Sequence, residues 1–186
     1  MNPLSTKVSW VVWVVLFSIF TYFAAVVMPA TSKAVLNVSS NPDCVKILDL
    51  MRGAGRQEII QSFDCLGPEG LTAYKGVETF QDIFYPLVYA AYFCFTLFAL
   101  SSYCLTNRKL IIAVSLFPVL NLLADFIENH FIVRLILQYP GLNDSTIATF
   151  SFISLTKWSL FFVLMSMVVF FALWSLAKLI GKKKKV

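Results

Sequence analysis

Six polar side chains interrupt the apolar stretch Leu110–Leu137, and the four that share one helical face are the first candidates for chemistry. Asn121, Asp125, Glu128 and Asn129 follow an i, i+4, i+7, i+8 spacing, which puts all four on one face of a helix. An ionisable residue inside a membrane span costs on the order of 3 kcal/mol, so such residues usually face a bundle interior or a wet cavity. We expect this face to point inward, with His130 off the stripe.

Other polar residues fall at the same predicted depth. Asp125 lies 16 residues beyond Lys109, about 24 Å along a helix, in the outer half of a hydrocarbon core of about 30 Å. Asp82 precedes an aromatic run, and Lys157 can extend outward along its aliphatic stem. The predicted ligand-binding polar set is Asp82, Tyr85, Tyr89, Asn121, Asp125, Glu128, Asn129 and Lys157.

Acids outnumber basic residues in this set. An excess of buried carboxylates calls for a protonated member, a water-filled cavity or a cationic ligand. The structural alternative is that Asp125 or Glu128 pairs with Lys157 to fix helix register, while Asn129 and the tyrosines form hydrogen bonds between helices. Both interpretations remain open from the residues alone.

Three classes of function fit the polar set. The first is a protein that binds a lipid or an amphipathic small molecule in an outer-leaflet cavity. The second is an intramembrane acid–base enzyme acting on a lipid-like substrate, with Asp125 or Glu128 exchanging the proton. The third is a structural or assembly subunit of a membrane complex, or of a homo-oligomer, in which the polar set only locks helices together.

Several kinds of chemistry lack their motifs. His130 is the only histidine, so a zinc hydrolase would lack its usual ligands, and we expect no metal and no cofactor. The sequence has no Cys-x-x-Cys motif, no glycine-rich phosphate loop and no Ser-x-x-Lys motif in a plausible context. The expected partners are membrane lipids and small amphipathic molecules rather than nucleic acid, and the catalytic residues, if any, are unknown.

Composition defines the elements that must position these residues. The chain has 186 residues, 59% of them hydrophobic and 13% charged, which is about half the charged fraction of a soluble domain. Ordinary cytosolic enzymes are therefore excluded. Apolar runs predict one all-α membrane domain, a four-helix transmembrane bundle with spans at about 8–29, 83–105, 110–138 and 147–179. The first run could be a secretory signal, but its length and single Lys7 favour its retention.

Charge asymmetry predicts the orientation of the spans. The residues that carry net positive charge flank the spans on one side, and they are Lys7, Arg108, Lys109, Lys178 and Lys182 to Lys185. By the positive-inside rule both termini are then cytoplasmic. The basic tail resembles a retrieval signal of the endoplasmic reticulum, and the alternative is an anchor on anionic lipids. The predicted location is a bacterial inner membrane or the endoplasmic reticulum membrane.

The long first connection, residues 30–81, is predicted to form a short helical cap outside the membrane. Cys44 and Cys65 lie in it, where an oxidising compartment allows a disulfide, although two unrelated thiols are the alternative. Helical spacing predicts one amphipathic helix near residues 45–51 and a second near residues 59–63. Pro68 suits the start of a further helix that runs into the second span.

The chain also carries a pattern of motifs that resembles a known group. The motifs are Leu66-Gly-Pro-Glu-Gly-Leu-Thr-Ala-Tyr74, Asp82-Ile-Phe-Tyr-Pro86 with Tyr89, Pro118, Asp125-Phe-Ile-Glu-Asn129, Tyr139-Pro140 and Lys157-Trp158. Together they resemble an uncharacterised family of small four-span membrane proteins. The resemblance covers about residues 47–160. It implies that the family's polar set consists of Asp82, Tyr85, Asp125, Glu128, Asn129 and Lys157.

Overall fold

A computed structural model describes residues 6–183 of the chain, and this range is helical without a strand. The helices are α1 (Thr6–Tyr22), α2 (Met28–Asn37), α3 (Arg56–Gly76), α4 (Phe84–Cys104), α5 (Arg108–Gln138) and α6 (Asp144–Lys183). Four helical runs are long and apolar enough to cross a membrane, namely Trp10–Asn37, Arg56–Cys104, Arg108–Gln138 and Asp144–Gly181. The predicted fold class, an all-α four-helix membrane bundle, is confirmed. The end of the basic tail, Lys184 to Val186, lies outside the described residues.

Spans that follow one another along the chain run antiparallel, so α4 and α6 are parallel neighbours. A three-residue turn joins α4 to α5, and the side chain of Asn107 accepts a hydrogen bond from the Lys109 backbone amide at 3.0 Å, which caps the start of α5. At the same end, Lys178 Nζ donates to the last carbonyl of α4, on Cys104, at 2.8 Å. Helix α1 packs along α4, where Trp13 Nε1 donates to Thr96 at 3.2 Å. The chain therefore enters and leaves the bundle at the end opposite the disulfide, and the cytoplasmic location of that end stays a prediction.

Two apolar cores stack along the bundle axis. The core nearer the disulfide comprises Val35, Leu48, Ala54, Ile59, Phe63, Leu66, Tyr74, Ile132, Leu135, Leu142, Ile147 and Phe150. The core farther from it comprises Tyr89, Ala90, Tyr92, Phe93, Leu97, Cys104, Leu164 and Phe171. On α6, Lys157 falls between Phe150 of one core and Leu164 of the other. Lys157 and the buried polar residues that surround it thus form a layer between the two cores.

The first helical run is longer than the span predicted for it. It continues past residue 29 through α2 to Asn37, so residues assigned to the cap belong to the first helical run. A π-helical turn, Phe23–Val27, precedes Pro29. A proline ring clashes with the carbonyl four residues earlier in a regular helix, here that of Ala25, and the wider turn accommodates it.

Helix α6 also extends beyond one bilayer. Its 40 residues span about 60 Å, twice the thickness of a hydrocarbon core. Its first turns pack against residues 38–55, which we call the cap loop. Ser151 Oγ donates to the carbonyl of Ala54 at 2.6 Å, and Trp158 Nε1 donates to that of Met51 at 2.9 Å.

The predicted disulfide between Cys44 and Cys65 is present, with Cα atoms 5.8 Å apart. The amphipathic helix predicted near residues 45–51 is wrong, because the cap loop contains only the short 3₁₀ turns Pro42–Cys44 and Leu48–Leu50. Backbone groups there bond to side chains of α3 instead. The Leu48 amide donates to the Tyr74 hydroxyl at 3.1 Å.

The amphipathic helix predicted near residues 59–63 is confirmed as part of α3. Ile59 and Phe63 are fully buried in one helix, as their spacing predicts. Gly67 breaks that helix with φ 66°, and Pro68 begins the next helical turn. The predicted continuation into the second span is present as one helical run, Arg56–Cys104, with a π-helical turn at Val77–Gln81 and a turn at Asp82 and Ile83 before α4.

Candidate functional site

Lys157 is the centre of the buried polar layer. Its side-chain amine contacts the carboxylates of Asp49 and Glu128 directly and lies 3.5 Å from Asp125 Oδ1. Glu128 is completely buried, and Lys157 and Asp125 are 7% and 6% exposed. One ammonium group therefore joins the cap loop, α5 and α6 in a single ionic cluster.

A chain of hydrogen bonds links this cluster to α4. Tyr89 donates its hydroxyl proton to Asp125 Oδ2 at 2.8 Å, and the same hydroxyl accepts from Asn121 Nδ2 at 2.9 Å. Because a phenol has one proton, Asn121 must act as the donor in the second bond. The Oδ1 atom of Asn121 is buried and has no hydrogen-bond partner among the described residues.

A second contact, nearer the cap, joins α5 to the turn that precedes α4. Asn129 Nδ2 donates to Asp82 Oδ2 at 3.0 Å and is 3.4 Å from the Asp82 carbonyl oxygen. Both residues are buried, at 5% and 3% exposure. Tyr85 packs edge-on against Tyr89, with ring centroids 5.6 Å apart. All eight residues of the predicted polar set therefore lie in one layer of the bundle.

The polar layer borders a cavity of about 380 Å³, which we call the central cavity. The predicted residues that line it are Asp82, Tyr85, Tyr89, Asn121, Asp125 and Lys157. Its apolar lining consists of Phe20, Leu50, Phe93, Trp158, Phe161 and Met165. Glu128 and Asn129 do not line this cavity but lie behind Lys157 and Asp82. The structure therefore separates the polar set into residues that face open space and residues that support them.

A neighbouring cavity of about 300 Å³, the cap cavity, lies between α2, α3 and the cap loop. Asp49 and Asp82 line both cavities, whereas Glu78 lines only this one. Glu78 is 4% exposed, and its Oε2 atom has no hydrogen-bond partner in the described part of the chain. Buried acids thus extend from the central cavity toward the cap.

Sequence reasoning missed two members of this layer. Glu78 precedes Asp82 by four residues, so the helical stripe through Asp82, Tyr85 and Tyr89 could have been extended back to it. Asp49 lies between two leucines in a loop that also holds other acids. No periodicity singled it out, because the cap loop folds on tertiary contacts.

Asp49 is the member of the cluster that lies outside the membrane-crossing helices, and its environment favours the charged form. Burial raises the pKa of the Asp49 carboxyl, but the charge of Lys157 and hydrogen bonds to its neighbours outweigh that effect, so the pKa lies below its ordinary value. The Asp49 side chain is 16% exposed. Asp49 and Lys157 therefore form a mostly desolvated ion pair.

The carboxylates of Asp49, Asp125 and Glu128 also have the spacing of a metal site, with one oxygen of each within 4.8 Å of the others. Lys157 contacts all three, so its ammonium group supplies the positive charge that a metal ion would bring. The geometry describes an ionic cluster built around a lysine.

Fold and site together define a four-helix membrane protein with a charged layer beside an apolar cavity. In comparisons with known proteins, the chain matches no family model, no curated protein and no solved structure. The resemblance to a four-span family stays a prediction, and function has to be argued from the site.

Proposed function

We propose that this protein binds a lipid or another amphipathic small molecule in the central cavity. The observation that carries the proposal is the cavity itself, which joins an aromatic and aliphatic lining to a cluster of buried polar groups. Ligand sites in proteins are commonly of this kind, mostly apolar with a few converging polar groups that orient the ligand.

The helix arrangement supports entry from the membrane. Phe20 of α1 and Phe161 of α6 both line the central cavity. Helix α1 packs on α4, where Phe20 stacks on Tyr92 with ring centroids 5.0 Å apart. The cavity thus lies between the first and last helices of the bundle, where an acyl chain can pass sideways from the bilayer.

The depth of the cavity agrees with an outer-leaflet ligand. Asn121 and Asp125 lie 13 and 17 residues beyond Arg108, the first residue of α5, or about 20 and 26 Å along the helix. A ligand with its polar end at Asp125 would have its tail beside Phe93 and Met165, toward the bilayer centre. A single-chain amphiphile fits this arrangement.

Native mass spectrometry of the purified protein tests the proposal. Met165→Trp places a large side chain in the cavity, and Val169→Trp is the matched control, because Val169 is 56% exposed on the same helix. Wild type and Val169→Trp are expected to retain a bound lipid-like mass that Met165→Trp loses. Equal retention by both variants, or no bound mass in wild type, would contradict the proposal.

The acid–base enzyme is the second candidate, and one observation favours it. Asp125 lines the cavity and shares a hydrogen bond with Tyr89, so a carboxyl group coupled to a phenol faces the bound molecule. Glu128 lacks such access. Incubating wild type and Asp125→Asn with lipid extract, then comparing products by mass, tests this candidate. New products that depend on Asp125 would support it.

A further inference from the structure

The central cavity lies beside an excess of buried carboxyl groups, and this excess indicates which kind of headgroup the proposed ligand carries. Five buried or nearly buried carboxyl groups surround Lys157, and they are Asp49, Glu78, Asp82, Asp125 and Glu128. Lys157 is the only buried basic residue among the side chains that the structure describes. If every carboxyl is ionised, one positive charge faces five negative charges, and burying such an excess is unfavourable without added protons or a cation.

Lys157 lines the central cavity, but its amine is engaged by acids of the cluster. Its amine directly contacts Asp49 and Glu128, whereas Asp125 Oδ1 is 3.5 Å away. Asp82 has no contact with Lys157 within 4.0 Å and accepts its hydrogen bond from the neutral amide of Asn129. Asp49, Asp82 and Asp125 all line the cavity, and because Lys157 pairs directly with Asp49, the unbalanced negative charge there comes from Asp82 and Asp125.

A second observation points to a ligand that donates hydrogen bonds. Asn121 is 3% exposed and lines the central cavity. Its amide nitrogen is committed to Tyr89, because the phenol gives its own proton to Asp125, so Asn121 Oδ1 is left as an acceptor without a partner. A buried acceptor in that state is costly unless something bound in the cavity donates to it.

Aromatic rings complete the preference for a cation. Tyr85, Tyr89, Phe93 and Phe161 line the cavity, whereas the ring of Trp158 already lies against Arg52 and Lys157. The faces of the first four rings attract positive charge, most strongly when the cation has left water. A phosphate or carboxylate headgroup would instead meet Asp82 and Asp125, while the Lys157 amine is already engaged by Asp49 and Glu128, so the headgroup would be repelled.

From these contacts we infer that the ligand headgroup is a protonated amine, with N–H groups that donate to Asp125 and Asn121 and an apolar chain along α6. Asp82 adds negative charge farther along the same cavity. This inference rests on the proposed function and narrows it to one chemical class. The carboxyl groups bind the charge, and Asn121 Oδ1 selects an ammonium that still carries hydrogen atoms over a fully alkylated one.

Four amphiphiles with the same twelve-carbon chain test the inference, because only the headgroup differs. Binding of dodecylamine, dodecyltrimethylammonium, dodecanol and laurate is measured at pH 7 on the full chain in phosphatidylcholine nanodiscs, after subtracting binding to empty nanodiscs. Dodecylamine is expected to bind at least about tenfold more tightly than each of the others, a ratio in keeping with a charge-assisted hydrogen bond.

The outcomes distinguish failure of the amine headgroup from failure of the proposed amphiphile site. If dodecanol, laurate or dodecyltrimethylammonium binds as tightly as dodecylamine, the amine headgroup is wrong while an amphiphile site remains. If none of the four binds above the empty nanodisc, the amphiphile site itself is contradicted.

Asp82→Asn gives an independent measurement on a variant. The amide keeps an acceptor for Asn129 but removes a charge from the cavity, so dodecylamine affinity should fall about tenfold and dodecanol affinity should not change. Asp43→Asn is the matched control, since it removes an exposed cap acid that lines neither cavity. An equal loss in both variants, or no loss in Asp82→Asn, would overturn the inference.

Discussion

Lys157 and Asp49 form an ion pair across 108 residues of sequence, and Lys157 Nζ also donates to the Asp49 backbone carbonyl at 3.1 Å. The ion pair neutralises the Asp49 carboxylate, and the bond to the backbone carbonyl holds the cap loop in position. Because the same amine contacts Glu128 on α5, the cap loop and the bundle share one ammonium group. Removing the ammonium group should therefore destabilise both the cap loop and the packing of α5 against α6.

The first prediction concerns the pH dependence of this contact. The pKa of Asp49 is lower in the folded protein, so its charge stabilises the fold above the unfolded-state pKa, near 4, and this contribution is lost as the pH falls through the folded value. Asp49→Asn should lower the free energy of unfolding at pH 7 by about 1–3 kcal/mol. The gap to wild type should shrink toward zero in acid.

Unfolding in detergent at pH 7, 5 and 3 measures this gap. Asp43→Asn serves as the control, because it neutralises an exposed acid of the same loop. A gap between wild type and Asp49→Asn that stays constant over this range would show that the charge of Asp49 is not the stabilising group.

The second prediction concerns which acid is the main bundle partner of Lys157. Lys157→Met leaves buried carboxylates without their cation and should cost about 3–5 kcal/mol. Adding Glu128→Gln should recover more of this loss than adding Asp125→Asn, because Glu128 contacts Nζ directly and Asp125 keeps its bond to Tyr89.

Double-mutant cycles of thermal stability, with both single acid variants included, give the two coupling energies. A larger coupling for Asp125 than for Glu128 would contradict the contact distances. Equal and negligible couplings would mean that Lys157 is held mainly by the cap loop.

Much of the bundle was predictable, because hydrophobic length and helical spacing are local properties of the sequence. The stripe through Asn121 and Glu128 faces inward and His130 is exposed, as a period of 3.6 residues requires. The depth argument also brought Lys157 to the level of Asp125.

The cap loop was less predictable for a physical reason. Residues 45–51 have helical spacing, but the Lys46 backbone exchanges two hydrogen bonds with the Ser62 hydroxyl, and Leu48 bonds to Tyr74. Those partners are distant in sequence, and they outweigh a weak local preference. The same tertiary contacts bring Asp49 to Lys157, so the main cap residue of the site could not be found from periodicity.

The third prediction concerns the break in α3. Gly67 has φ 66° and ψ −179°, a conformation open essentially only to glycine, and a Cβ atom there would collide with the Ser40 side chain. Gly67→Ala should therefore cost at least about 1–3 kcal/mol. Gly76→Ala is the matched control, because its backbone is helical and nothing lies within 4 Å of the added atom.

Thermal unfolding of the two alanine variants makes the comparison. Gly76→Ala should be neutral or stabilising by about 0.5–1 kcal/mol. Ser40→Gly in the Gly67→Ala background should relieve the collision but not the backbone strain, so recovery should be partial. Full recovery would mean that φ at this position carries no cost.

The last prediction concerns the disulfide that holds the cap loop to α3. Cys44 and Cys65 are separated by 21 residues, and closing a loop of that length stabilises a fold by about 3 kcal/mol through the entropy of the unfolded chain. The double variant Cys44→Ser/Cys65→Ser should lose about this much, and reducing agent should destabilise wild type equally without affecting the variant. Cys94→Ser is the control, since Cys94 is a free, half-buried thiol. If reducing agent leaves the melting temperature of wild type unchanged, the bridge does not support the cap.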